Sequence, residues 1–187
     1  MSRISDLIAA GQYDVLCLQE LSFPANLRLP KGYRRVCPSI SHPIYVKKGI
    51  KTRRHRFHLR WDECEIKMGE GWWLLINVHL HWKERIFTRS IEKIRDRIDD
   101  AIAAGQCFIA CGDWNVGRDI LESEFNYKAY VFPWDSYTFK NSNTGKEGKI
   151  DFFVVNYADM WEPELFIGDA VLSDHRPIRL TSSSSSL

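Results

Sequence analysis

The chain has 187 residues, and a hydrophobic content of 44% gives it the apolar surface for a packed core, which excludes an intrinsically disordered protein. Lys and Arg number 26 against 24 Asp and Glu, so the formal charge of +2 decides little by itself and its distribution matters more. No apolar run is long enough to span a bilayer and no charged-then-apolar leader opens the chain; Cys17, Cys37, Cys64, Cys107 and Cys111 are odd in number without a CxxC pair, so reduced thiols in an intracellular protein, cytoplasmic or nuclear, are expected.

Ile4, Leu7 and Ile8 have helical spacing, with Gly11 as a stop. Residues 14–19, DVLCLQ, read as a buried strand that delivers Glu20 at its end, and 33–37 and 44–47 are short strand candidates. The interval 21–61 holds eleven Lys and Arg and no Asp or Glu. Within it His55, Phe57, Leu59 and Trp61 alternate with Arg54, Arg56, His58 and Arg60, the period of a strand with one face on the core and one basic face. Cys64, Ile66 and Met68 continue the alternation to a Gly-Glu-Gly turn at 69–71, after which WWLLINVHL predicts a fully buried strand joined by a hairpin.

Phe87, Ile91, Ile94, Ile98 and Ile102 recur at helical steps, giving an amphipathic helix that Gly105 can end. The strand CFIAC leads into GDWN, and strands at 137–139 and 150–155 flank a polar loop, NSNTGKEGK. Residues 178–181 form the last predicted strand, and the serine-rich stretch 182–187 is expected to be a disordered tail. Without a repeat or a linker, residues 1–181 read as one domain. Strands outnumber helices, and apolar faces that must be buried give an α/β sandwich of two packed, mainly antiparallel sheets flanked by helices.

Five segments carry chemistry: LQE ending at Glu20, NVHL around His79, GDWN with Asp113 and Asn115, KID ending at Asp151, and SDH with Asp174 and His175. Each lies at or just beyond the end of an apolar run, and strands that end together can gather carboxylates, amides and imidazoles around one metal ion and one phosphate. Singly, each has a plainer reading. Glu20 alone is an exposed strand end, Asp113 and Asn115 could form an Asx turn, and a lone His79 on an apolar strand is more often a satisfied core residue. Asp151, inside an apolar strand, is a costly buried charge unless paired. Trp82, Trp114 and Trp134 fit core or groove alike.

This set, in this order, resembles the endonuclease/exonuclease/phosphatase superfamily, which includes DNase I, exonuclease III-type abasic-site nucleases, retrotransposon endonucleases and inositol 5-phosphatases; the match runs over residues 6–181. The resemblance implies a DNase I-like sandwich and a Mg²⁺- or Mn²⁺-dependent phosphodiesterase, a DNA endonuclease or exonuclease. It makes Glu20 the principal metal ligand and Asp174 a second metal contact. Asp113 orients or deprotonates water, Asn115 holds a non-bridging oxygen, and His79 protonates the leaving group or clamps phosphate. His175 contacts the scissile phosphate, with Asp151 beside it to raise its pKa. Asn77, Tyr137, Thr138 and Lys149 are expected along the substrate groove, and Arg54, Arg56 and Arg60 along a track for a phosphate backbone. Two rival readings are a phosphatase acting on inositol phosphates or nucleotides, and a truncated, inactive relative serving as a nucleic-acid-binding or interaction module.

The chain departs from the family pattern twice. Family members begin with a strand carrying an Asn of the metal site, whereas this sequence opens on the helix after it, so a partner or a missing segment is expected to cover the sheet edge. The histidine of the NVHL-type motif also leans, in DNase I-like enzymes, on a carboxylate from the stretch after LQE. The interval 21–61 offers none.

Overall fold

The computed structural model describes residues 13–20, 31–37, 39, 41–125, 129–132, 134–165 and 174–182. The helix expected around residues 4–8 and the serine tail beyond Ser182 lie outside these residues. Strands β1 (Val15–Cys17), β2 (Tyr33–Arg35) and β3 (Ile44–Lys47) form a three-stranded antiparallel sheet in the order β1-β3-β2, with β1 at one edge. Strands β4 (Thr52–Phe57), β5 (Trp61–Met68), β6 (Gly71–His79), β7 (Phe108–Asp113), β8 (Tyr130–Val131) and β11 (Asp151–Val155) form a six-stranded sheet in the order β4-β5-β6-β7-β11-β8. Its one parallel pair, β6 and β7, is joined by α1 (Glu84–Ala103), as a parallel connection requires. The second helix, α2 (Arg118–Phe125), follows β7 and buries Leu121 and Phe125, one turn apart. Two further ribbons pair β9 (Phe139–Lys140) with β10 (Glu147–Gly148) and β12 (Trp161–Leu165) with β13 (Ile178–Ser182).

The two main sheets pack into one core with α1 outside them. On β5, Cys64 faces inward, where its thiol meets Cys37 of the other sheet's connection, while Glu63 faces α1 and pairs with Arg97 at 2.9 Å. Phe87, Ile91, Ile94, Ile98 and Ala101 of α1 join the same core, so the apolar stripe read from the sequence is the buried face of that helix. The helix stops at Gly105, whose φ of 63° suits glycine. No helix among the described residues is long and apolar enough to cross a membrane.

The basic strand differs from the expectation. β4 ends at Phe57, leaving Arg60 in the turn before β5, and a register shift between Arg53 and Arg56, with Arg54 at φ 52°, breaks the alternation. Phe57 and Leu59, expected on the core face, are 67% and 82% exposed, Phe57 at the last position of β4 beyond the register shift and Leu59 in the turn after it. The arginines are engaged as well. Arg53 and Arg54 bind buried Glu65 at 2.6 and 2.9 Å, and Arg56 lies 3.6 Å from buried Glu63. Arg54 and Arg56, each still 65% exposed, are thus paired with buried carboxylates, and Arg60 lies off the strand, so the three do not share one strand face.

Candidate active site

Register places the site. His79, the last residue of β6, is the parallel partner of Asp113, the last of β7, and Asp113 is the antiparallel partner of Asp151, the first of β11. Neighbouring strands lie about 4.8 Å apart, so one imidazole and two carboxylates form a row at one end of the sheet. Their inward face is set by Asn77, two residues before His79, whose amide bonds the opposite sheet's segments. That sheet brings Glu20, two residues past Leu18, to the other wall. Gln19, Glu20, Asp113, Asp151 and His175 line a cleft of about 80 Å³ open to solvent.

The close packing behind this row depends on Gly112. Its φ is 128°, and a Cβ there would lie 2.1 Å from the Val78 carbonyl oxygen, so no other residue fits between β6 and the turn into Asp113.

His175 arrives on a separate segment pinned to the strand end. Phe139 forms an isolated bridge with His175, Lys140 donates its N–H to the Asp174 carbonyl, and Arg176 donates its own to the Thr138 carbonyl. The buried Thr138 hydroxyl oxygen accepts the backbone N–H groups of Ile150 and Asp151 at 3.0 and 3.1 Å. Thr138 thus aligns the Asp151 and His175 segments from inside and is a positioning residue, a correction to its expected place on the substrate groove. His175 Nδ1 consequently lies 3.0 and 3.1 Å from the two Asp151 oxygens, with its Nε2 3.9 Å from Asp113.

These contacts set the charges. Burial opposes a charge on His175, but the Asp151 hydrogen bond and carboxylate, with Asp113 and Asp174 beyond, outweigh it and raise its pKa to about 9. Burial, with the Asp151 and Glu20 carboxylates nearby, pushes Asp113 up to about 7 against the pull of His175 and the Asn115 N–H. His79 is held below the ordinary histidine value, first by burial and then by His42, Arg60 and His175, although Glu20 opposes them. At neutral pH the site holds a charged His175, a neutral His79 and an Asp113 near its titration midpoint.

The carboxylate missing from the interval 21–61 is supplied from elsewhere. His79 Nε2 lies 3.4 Å from Glu20 and 3.8 Å from Asp113, so His79 has two carboxylate neighbours, both from outside that interval. Asn115, at φ 54°, donates its side-chain N–H groups to the Leu80 carbonyl and to Asp113 Oδ2, and its backbone N–H to Asp113 Oδ1. Both side-chain amide hydrogens are engaged, one on the Leu80 carbonyl and one on Asp113, which takes the place of the expected grip on a phosphate oxygen.

Asn77 is fully buried, which corrects its assignment to the substrate groove. Its Nδ2 bonds the carbonyls of Leu18, His42 and Pro43, and its Oδ1 accepts from Gln19 at 2.6 Å. Gln19 is thereby a site residue that sequence reading passed over, although it stands inside the LQE motif. Tyr137 lies under the Arg176 guanidinium, 3.6 Å from its ring centroid, and Lys149 donates to the Trp134 carbonyl. Trp114 and Trp134 are core residues whose indole N–H groups donate to Phe152 and Asp151 carbonyls.

Among the described residues, Asp113, Asp151 and His175 offer ligand atoms that all lie within 4.8 Å of one another. His175, cationic and held by Asp151, is a poor ligand; the carboxylates suit a hard cation, and the raised pKa of Asp113 is what clustered, buried carboxylates give without one. Glu20 and Asp174, the ligands the resemblance implies, are outside this group of three.

The endonuclease/exonuclease/phosphatase family model matches residues 1–175. No curated protein matches the chain significantly. Among solved structures, the endonuclease domain of TRAS1, a telomere-specific non-LTR retrotransposon, is 16% identical with a TM-score of 0.74, the match covering 96% of this chain and 90% of that one. Truncated Caenorhabditis elegans TDP2 is 18% identical with a TM-score of 0.74, over 94% and 86% of the two chains. The AP endonuclease LMAP from Leishmania major is 17% identical with a TM-score of 0.72, over 95% and 80%. Such identities speak for the fold, and the family match carries the assignment: the chain belongs to the endonuclease/exonuclease/phosphatase family.

Proposed function

We propose that the protein is a divalent-metal-dependent phosphodiesterase that hydrolyses nucleic acid, with DNA as its substrate. The observation that carries this reading is the single row of His79, Asp113 and Asp151, with His175 against Asp151 and Glu20 against His79. It puts a base, a cation and a neutral imidazole around one cleft, the set that in-line attack of water on a phosphodiester needs.

Glu20 and Asp174 are the residues proposed to hold Mg²⁺ or Mn²⁺, because such ions keep several waters and favour carboxylates at the solvent edge over buried Asp113 and Asp151. Once bound, the ion would supply charge neutralisation of the phosphate oxygens. Asp113, oriented by Asn115, takes the proton of the attacking water, a task suited to a pKa near neutrality. His175 holds a positive charge for a phosphate oxygen through its Asp151 pair. His79 positions the leaving oxygen.

The test is a metal-supplemented assay on plasmid, abasic duplex, single-stranded DNA, RNA and an inositol phosphate. Cleavage of nucleic acid that stops in EDTA, with rates lowered by ~10³ or more in Glu20→Ala and Asp113→Ala proteins of unchanged circular dichroism, is the expected result. Preference for the inositol phosphate would favour the phosphatase reading, and binding without turnover the interaction module.

A further inference from the structure

Trp82 lies three residues beyond His79 and is 72% exposed, whereas the other six tryptophans are buried or half-buried. An indole presents a large flat apolar face, and one left in water three residues from a reactive group is available to stack on a ligand. Hydrogen bonds and ring contacts surround it. The Leu80 N–H donates to the Asp113 carbonyl and the Leu80 carbonyl accepts from Asn115, which fixes the backbone before the turn to the row of reactive groups. Lys83 donates its N–H to His81 Nδ1 at 2.9 Å, the His81 ring stacks on Trp82 at 5.6 Å and 28°, and the Lys83 ammonium lies 5.6 Å from the indole centroid. On the neighbouring turn, the Arg60 carbonyl accepts the His79 N–H, so a second cation shares this strand end with exposed Phe57 and Leu59.

An aromatic plane with cations beside it matches a nucleobase and its phosphate. Three residues of extended chain reach about 10 Å, equal to about three base steps of a stacked strand. We propose that Trp82, held on the turn 81–83, is a stacking platform for an unpaired base within about three nucleotides of the scissile phosphate, so that the site takes single-stranded or frayed nucleic acid. This rests on the phosphodiesterase reading above.

The experiment measures binding of short labelled single strands by fluorescence anisotropy in EDTA, using wild type, Trp82→Ala, Trp82→Phe and Tyr157→Ala proteins. Tyr157 is 58% exposed but lies beyond the far end of β11 from Asp151, so it reports on exposed aromatics in general. Trp82→Ala should weaken binding about tenfold, Trp82→Phe about twofold, and Tyr157→Ala should match wild type. In a set of strands each lacking one base, the Trp82→Ala defect should vanish at one position, where the partner base has gone. Equal binding by wild type and Trp82→Ala, or a defect independent of which base is missing, overturns the platform. So does a dimer that Trp82→Ala splits without changing strand binding, since the patch would then be an interface between copies. Hydrolysis of bis-p-nitrophenyl phosphate by the wild type separates the two readings: turnover without Trp82-dependent binding defeats the platform alone, and Trp82-dependent binding without any ester turnover defeats the phosphodiesterase alone.

Discussion

Asp113 and Asp151 are register partners at the end of β7 and β11, so two carboxylates that repel one another are buried side by side. The fold answers each differently. Asp151 takes His175 as a hydrogen-bonded cation at 3.0 Å, and Asp113 is raised to about 7.

Stability of the metal-free protein should therefore fall as pH rises across the neutral range. Asp113 binds its proton more tightly folded than unfolded, so stability declines between its ordinary value of 3.8 and about 7. His175, raised from 6.5 to about 9, gives its stabilisation fully below 6.5 and loses it as pH rises through 9. Each group contributes a slope of at most about 1.4 kcal/mol per pH unit. Thermal melts in EDTA, with Asp113→Asn and His175→Gln subtracted from wild type, should show the two windows. A difference curve that rises with pH would reject the charge assignment.

Removing one member of the Asp151 and His175 pair should undo the other. In Asp151→Asn the burial that opposes a charged His175 is offset only by the more distant Asp113 and Asp174, so its pKa, followed by NMR titration, should drop from about 9. Activity should fall nearly as far as in His175→Ala, and the double variant should lose little more. Additive losses would mean that the two act independently.

Much of this arrangement is legible in the chain. WWLLINVHL and CFIAC are apolar because β6 and β7 are covered on both faces, and the steps from Phe87 to Ile102 mark the one face α1 buries. β4 misled because a bulge at an edge strand breaks the period of two, and because its arginines answer Glu63 and Glu65, carboxylates later in sequence and next to it in the sheet. Helix α2 is short, and its signal is only the pair Leu121 and Phe125. Asn77 and Thr138 were legible as polar residues near motifs but not as buried ones. What they bond is backbone brought together by the fold, which no spacing in the sequence encodes.

The arginines of β4 should act on stability more than on DNA. Arg54→Ala with Arg56→Ala leaves Glu65 with Arg53 and Glu63 with Arg97, so the expected loss is about 1–2 kcal/mol, below the 3–5 kcal/mol of a fully orphaned buried carboxylate. Adding Arg97→Ala should bring the larger figure for Glu63. Urea melts give the losses. A log–log salt slope for DNA binding that shifts by about three units in the Arg54, Arg56 and Arg60 triple variant would instead restore the free basic face.

Asn77→Ala should cost both stability and metal affinity, although Asn77 touches neither solvent nor the cleft. Its amide carries the carbonyls of Leu18, His42 and Pro43, and its oxygen holds Gln19 at 2.6 Å, so one side chain on the six-stranded sheet fastens the segment leading to Glu20 together with the one leading into β3. Deleting it strands several buried polar groups, each costing about 1–3 kcal/mol unless water enters, which puts the loss at roughly 2–4 kcal/mol. It also frees Glu20 from its alignment with His79, 3.4 Å away. Mn²⁺ binding by calorimetry, on protein shown folded by its melt, should weaken in Asn77→Ala by about tenfold, as loss of groups behind metal ligands commonly does. Asn77→Asp keeps the acceptor for Gln19 but loses all donation to the three carbonyls, and should be worse. If Asn77→Ala lost stability while Mn²⁺ bound as in wild type, Asn77 would be a rivet between sheets with no part in placing Glu20.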